Sequence, residues 1–186
     1  MNGIILAGGK NSRFGEDKAF AKMGDSTMVG SLISLLGPLF DKVIVVTNSP
    51  EKFREFPVKT VADAIRDIGP LGGIYSGLLA SDQERNLVVA CDMPSVKAEL
   101  VQYLCSFNEG QAIVAKTNGL PQPLLGVYNR NCLSSIKEHI YRKDYKLSSL
   151  LQDIDTRYVE EDELKKIDPG LVSFRNINTK EEMYDQ

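Results

Sequence analysis

Three short stretches of this sequence combine residue types that handle phosphates and metal ions. The first, Leu6-Ala7-Gly8-Gly9-Lys10-Asn11-Ser12-Arg13-Phe14-Gly15, follows directly on an apolar run. Paired glycines let a backbone approach an anion closely, and successive N–H groups can form a concave anion site. Arg13 and, a few residues on, Lys18 add positive charge for phosphates. The G-x-x-x-x-G-K-S/T spacing of a P-loop and the G-x-G-x-x-G dinucleotide fingerprint are both absent, which disfavours a P-loop hydrolase and an NAD enzyme. A strand-end turn would account for the glycines alone; the added bases favour phosphate binding. The second stretch, Asp63-Ala64-Ile65-Arg66-Asp67-Ile68-Gly69-Pro70-Leu71-Gly72-Gly73, sets two carboxylates beside turn residues. An acid just past a strand can accept hydrogen bonds from a base edge or a ribose, and either Asp can equally cap a turn. The third, Leu87-Val88-Val89-Ala90-Cys91-Asp92-Met93-Pro94, ends an apolar run with a carboxylate. Ligands of open α/β sheets sit at the carboxyl ends of strands, and Mg²⁺ prefers one or two carboxylates plus substrate phosphates. Asp92 therefore has the chemistry and the position of a metal ligand, with a plain Asp-x-Pro turn as the alternative.

These residues need a frame, and short β-branched runs alternating with helical patterns supply one. Strands are expected over 3–7, 43–47, 58–62, 87–91, 112–116, 124–128, 157–160 and 172–177. Ser26 is expected to cap a helix whose apolar positions include Val29, Leu32, Ile33, Leu36 and Phe40, stopped at Gly37-Pro38. Further helices are expected after Gly73 and over 99–107, 131–142 and 147–154, with Thr179 capping a last one. Asn118 to Pro123 reads as a Pro/Gly-containing turn. This alternation predicts an α/β fold with a mostly parallel central sheet and helices on both faces. The strands are near-continuously apolar, as they must be when both faces are covered.

The 186 residues fit one domain spanning 1–186. A net charge of -3 with interspersed signs gives no nucleic-acid footprint and no polybasic membrane contact. No apolar run approaches a membrane span, and the apolar stretch in MNGIILAGGK is too short for a signal-peptide core, so the expected compartment is the cytoplasm. Cys91, Cys105 and Cys132 have neither C-x-x-C nor metal-finger spacing and read as reduced, mostly buried side chains. His139, the one histidine, falls in a helical stretch away from every motif and is expected at the surface, where its loss is nearly silent. Arg142, Lys143 and Lys146 read as a solvated basic face rather than a rim for an anion.

The string formed by Leu6, Ala7, Gly8, Gly9, Ser12, Arg13, Phe14, Gly15 and Lys18 resembles the signature of GT-A type nucleotidyltransferases, and within them most closely the molybdenum cofactor guanylyltransferases. The resemblance runs from Ile4 to about Glu182 and is stronger in the first half. It implies a three-layer Rossmann-like nucleotidyltransferase domain that transfers GMP from GTP to molybdopterin. It implies that the Leu6-Ala7-Gly8-Gly9 backbone contacts the guanine nucleotide and that Lys18 contacts its phosphates, with Arg13 beside it. Asp63 would contact the nucleotide, with Asp67 a second candidate because the spacer before Gly-Pro-Leu varies. Cys91-Asp92-Met93-Pro94 is similar to the family's acidic metal motif, which makes Asp92 the implied Mg²⁺ ligand. Leu120 to Leu124 lies where the acceptor is expected, and Asn178 can complete a metal or phosphate shell or merely open a helix. The implied partners are GTP, molybdopterin and proteins that deliver the pterin or use the product. Three alternatives stay open: a molybdopterin cytidylyltransferase, whose loop tends to read Ala-Ala-Gly; a sugar-phosphate nucleotidyltransferase; and a non-catalytic nucleotide-binding protein.

Overall fold

The first strand, β1 (Asn2–Leu6), is buried along its whole length because it sits mid-sheet with a helical layer against each face. A computed structural model describes residues 1–8 and 18–177. Gly9 and Arg13 lie outside the described residues, as do Asn178 and the helix expected after Thr179. After β1 come β2 (Lys22–Met23), β3 (Ser26–Thr27), α1 (Met28–Leu36), β4 (Lys42–Val46) and β5 (Lys59–Val61). Then follow α2 (Pro70–Ala80), β6 (Arg85–Ala90), α3 (Ala98–Ser106), β7 (Ala112–Thr117) and β8 (Leu120–Asn129). The chain continues through α4 (Cys132–Tyr141), α5 (Leu147–Asp153), β9 (Thr156–Val159) and α6 (Glu161–Leu164). Seven strands form one sheet in the order β5-β4-β1-β6-β8-β7-β9, in which only β8 runs against its neighbours.

Period-two alternation splits each strand between two cores. Ile5, Val45 and Val89 point into the layer of α1, α3 and α6; Ile4, Ile44 and Val88 point into the layer of α2, α4 and α5. This is the expected three-layer α/β arrangement. No helix among the described residues is long and apolar enough to cross a membrane.

Several boundaries differ from the sequence reading, each for a local reason. Thr27, not Ser26, caps α1: its side-chain oxygen accepts from Gly30 N–H at 3.1 Å, while Ser26 is used in a small hairpin with Met23. Helix α2 begins at Pro70, before the two glycines expected to precede it, since proline fits the first helical position. The glycines are then inside the helix for packing reasons. A Cβ at Gly73 would lie 3.2 Å from Leu6 Cδ2, and one at Gly77 only 2.5 Å from Ile4 Cγ2. The expected turn over 118–123 shrinks to Asn118-Gly119, both with positive φ, as a two-residue hairpin demands. Pro121 and Pro123 therefore sit in β8, where the register with β7 shifts. The strand expected at 172–177 is instead a 3₁₀ turn, Val172–Phe174, and an irregular tail.

His139 is the clearest correction. It is 3% exposed, its Nε2 lies 3.1 Å from Asp153 Oδ2, and its Nδ1 lies 3.6 Å from Asp144 Oδ2. The ring thus ties the end of α4 to α5. A helix read alone does not show that its polar position faces a neighbouring helix. Removing the ring sacrifices a hydrogen bond to a charged group, weakened by the exposure of Asp153, and leaves a void. His139→Ala is expected to lower stability by about 1–3 kcal/mol in urea unfolding, with turnover unchanged well below the melting temperature. Unchanged stability would mean that the α4–α5 contact holds without the ring.

Candidate active site

The parallel register sets the strand ends level: Leu6 pairs with Val46 on one side and with Ala90 on the other, and Val46 pairs with Val61. All four strands therefore release their loops at one edge of the sheet. Chain order reverses there, because β1, β4 and β5 step one way under α1 and α2 carries the chain back to β6 on the opposite face. A cleft of about 860 Å³ opens at this edge, and it holds Gly8, Lys18, Asn48, Asp63, Asp67 and Asp92.

Asp92 and Lys18 form the inner end. Lys18 Nζ donates to Asp92 Oδ2 at 3.1 Å, and the two side chains are 15% and 25% exposed. The backbone of this turn is fixed on both sides: Cys91 N–H donates to Leu6 O, and Ile177 N–H donates to Asp92 O at 2.9 Å. Lys18 arrives on a 3₁₀ turn, Lys18–Phe20, whose Ala19 is buried, and Phe20 packs edge-on against Phe53. An apolar anchor thus carries the cation into the cleft.

Asp63 forms the other end. Asn48 Nδ2 donates to its Oδ2 at 2.9 Å, while Asp63 N–H donates back to Asn48 Oδ1 at 3.4 Å. Gly8 faces the same carboxylate, for a Cβ there would stand 3.5 Å from Asp63 Oδ2. Bare backbone and a carboxylate with acceptor capacity thus meet at one place. The loop from Ala64 to Gly69 is held by Ser76, which accepts from Ala64 N–H at 2.9 Å and donates to Gly72 O at 2.7 Å. Asp67 and Gly69 both have positive φ, so the loop turns sharply into α2.

Leu6, Gly8, Lys18, Asp63 and Asp92 therefore line one cleft, and Ala7, half-buried, lies between two of them. Asp67 also lines it, so the structure leaves both acids of the second motif at the cleft. Arg142, Lys143 and Lys146 are exposed, and Arg142 pairs with Glu138. The sequence reading missed Asn48 and Arg66, which both line the cleft, and Leu124, from the segment expected near the acceptor, lines it as well. For Asn48 a signal existed, since it follows β4 closely, and polar residues just past parallel strands face the ligand edge. Leu124 reaches the cleft through the register shift in β8, where Tyr128 O–H donates to Pro123 O at 2.7 Å and holds the bulged backbone.

Asp92 could hold a metal ion at the inner end of the cleft. Among the described residues no cluster of three or more His, Cys, Asp or Glu side chains is placed to hold a metal ion. The Asp92 carboxylate, set apart from Asp63 at the other end of the cleft, suits Mg²⁺ that shares its coordination with substrate phosphates and water, and does not suit a preformed cage.

Residues 3–161 match the family model described as the MobA-like NTP transferase domain. A relative named molybdenum cofactor guanylyltransferase, from Syntrophotalea carbinolica, is 34% identical over 96% of this chain and 87% of its own. A second, named probable molybdenum cofactor guanylyltransferase, from Peptoclostridium acidaminophilum, is also 34% identical, over 97% and 85%. Among solved structures, molybdopterin-guanine dinucleotide biosynthesis protein A from Archaeoglobus fulgidus superposes with a TM-score of 0.85 at 23% identity, covering 100% of this chain and 96% of that one.

The reciprocal Asn48–Asp63 contact generates a test. Asn48→Ala frees the Asp63 carboxylate to turn, so affinity for a nucleoside triphosphate is expected to fall about fivefold, the worth of roughly one net hydrogen bond. Calorimetry giving an unchanged dissociation constant would show that Asp63 does not depend on Asn48.

Proposed function

The chain belongs to the MobA-like NTP transferase family, and from that premise we propose that it transfers GMP from GTP to the terminal phosphate of molybdopterin and releases pyrophosphate. The observation that carries the reading is the Lys18–Asp92 pair, a cation and a carboxylate side by side at the ligand edge of the sheet. An oxygen of the acceptor phosphate attacks the α-phosphorus in line. The bond from that phosphorus to the bridging oxygen breaks, and the electron pair leaves on pyrophosphate. No covalent enzyme intermediate is needed, so the protein supplies position and charge neutralisation.

Asp92 would hold Mg²⁺, which when bound neutralises phosphate oxygens and orients them. Lys18 then turns its ammonium from Asp92 to the phosphates and stabilises charge on the departing pyrophosphate, with Arg13 as a second cation. Asp63 accepts hydrogen bonds from the nucleoside. The backbone from Leu6 to Gly9 reads the base edge without side chains, and Gly8 leaves the room this requires. Among the described residues no disulfide joins Cys91, Cys105 or Cys132, which fits a reducing compartment, for this reading the cytoplasm.

Asp92→Asn is expected to abolish pyrophosphate release while the circular dichroism spectrum stays unchanged; near-normal turnover in Mg²⁺ would remove the metal role. Lys18→Ala is expected to lose at least about tenfold in kcat/KM, since hydrogen bonds to charged groups contribute about 1.5–3 kcal/mol. Base choice is the sharper test. Guanine presents an O6 acceptor with N1–H and N2–H₂ donors, a set that adenine and cytosine lack. With the wrong base the site's own polar groups go unpaired, at about 1–3 kcal/mol each, so GTP is expected to exceed ATP and CTP by roughly a hundredfold. Inosine triphosphate, lacking only the 2-amino group, is expected to fall between. Equal kcat/KM for GTP and CTP would sink the guanylyl assignment, and no pyrophosphate from any nucleotide with a verified acceptor would sink the transferase reading too.

A further inference from the structure

The turn that carries Asp92 is gripped at both ends by one distant segment. At its start, Ile177 N–H donates to Asp92 O at 2.9 Å. At its end, Lys97 N–H donates to Ser173 Oγ at 3.1 Å. The second grip, which fixes the start of the segment that ends at Ile177, is held by Asp168. One of its carboxylate oxygens accepts from Ser173 N–H at 2.9 Å, and the other lies 2.9 Å from Lys97 Nζ. Asp168 is 0% exposed, whereas Lys97 keeps 40% of its side chain in solvent. Burial alone would raise the Asp168 pKa, but the bonds from Ser173 and Lys97 outweigh it and hold the carboxyl below its ordinary range.

The segment in between is not relaxed. Leu171 has a φ of 47°, a left-handed conformation that a leucine holds only when its surroundings impose it. Leu171 N–H donates to Asp168 O at 2.8 Å, and the Ile177 side chain is 1% exposed. A buried ionic centre, a strained corner and a buried anchor thus lay residues 173–177 across the turn at 92–97. Surface attachment of a tail needs none of these.

We propose that Asp168 is a positioning residue for Asp92: through Ser173 and Lys97 it holds the 173–177 segment against the Asp92 turn and so sets the direction of the Asp92 carboxylate. The inference rests on the reading of Asp92 as the Mg²⁺ ligand. Among the described residues Asp92 belongs to no cluster of three or more His, Cys, Asp or Glu side chains, so its aim depends on the Lys18 contact and on the backbone beneath it. Groups that orient a metal ligand from behind typically change metal affinity or activity by about 10–100-fold when removed.

The test uses the full chain with Asp168→Asn, and Ser173→Ala as a milder lesion that leaves the Asp168–Lys97 pair intact. Two quantities are measured: hydrogen exchange at the Ile177 amide, and the Mg²⁺ concentration giving half-maximal turnover with GTP. Both variants are expected to speed Ile177 exchange while strand amides such as Ile4 and Val88 keep their protection. Both are expected to raise the Mg²⁺ requirement by about tenfold or more, with KM for GTP at saturating Mg²⁺ unchanged. Faster exchange with an unaltered Mg²⁺ requirement would overturn the proposal and leave Asp168 a structural clasp. Unaltered exchange would overturn it as well, since the grip on Asp92 would not run through Asp168. A fully active Asp92→Asn enzyme would instead remove the metal assignment, whatever the exchange rates.

Discussion

Everything at the cleft depends on β1 lying between two parallel neighbours in equal register. Leu6 is level with Val46 and with Ala90, so the loops after β1, β4 and β6 start from one line. A shift of one residue in either pairing would turn that strand's apolar residues to the wrong core. The register is therefore secured by the alternation Ile4, Ile5, Leu6 between two separate cores, and not by the loops themselves. The chemical residues inherit their relative positions from burial elsewhere. This arrangement tolerates polar and charged side chains at the edge, because the cores behind them supply the stability.

Helix α2 adds the second constraint. Gly73 and Gly77 let it lie against Leu6 and Ile4 without intervening side chains. The start of the helix, and the loop leading into it, are thereby drawn to the end of β1. Asp63 consequently reaches Gly8, and Asn48 reaches Asp63. A larger residue at either glycine would lift the helix and widen the cleft at the end where Asp63 stands. The stripe of small residues is thus a condition of the site, although neither Gly73 nor Gly77 supplies a functional group.

The fold was legible because its strongest signals are long-range in effect but local in sequence. Runs such as Ile4-Ile5-Leu6 and Leu87-Val88-Val89 announce strands covered on both faces, and their alternation with helices announces a parallel sheet. What escaped were features decided between elements. His139 is polar on a helix and looks exposed until α5 is packed beside it. The tail after Asp168 is apolar enough to suggest a strand, but its amides bond to a side chain and to the Asp92 turn instead of a ladder. At the site, Lys18, Asp63 and Asp92 could be named from chemistry, strand ends and family resemblance. Asn48 carries only its place just past β4 as a signal, and nothing in its own sequence neighbourhood says that Asp63 needs a partner. Leu124 lies in the segment that the resemblance assigns to the acceptor, but its exact place in the cleft comes from a register shift that no pattern of alternation encodes.

The Lys18–Asp92 pair shows how such an edge can be stable without ligand and still ready for one. Both side chains are partly exposed, so the pair contributes little to folding. Its consequence is electrostatic. Within the pair each charge faces an opposite one. On the proposed reading, a Mg²⁺–nucleotide complex replaces both partners at once, the cation taking the carboxylate and a phosphate taking the ammonium. Each protein charge exchanges one opposite charge for another, and neither is left unpaired during the exchange. On that reading, either ligand alone would take one member of the pair and supply nothing in exchange to the other. On the proposed reading, the pairing therefore favours joint arrival of metal and nucleotide.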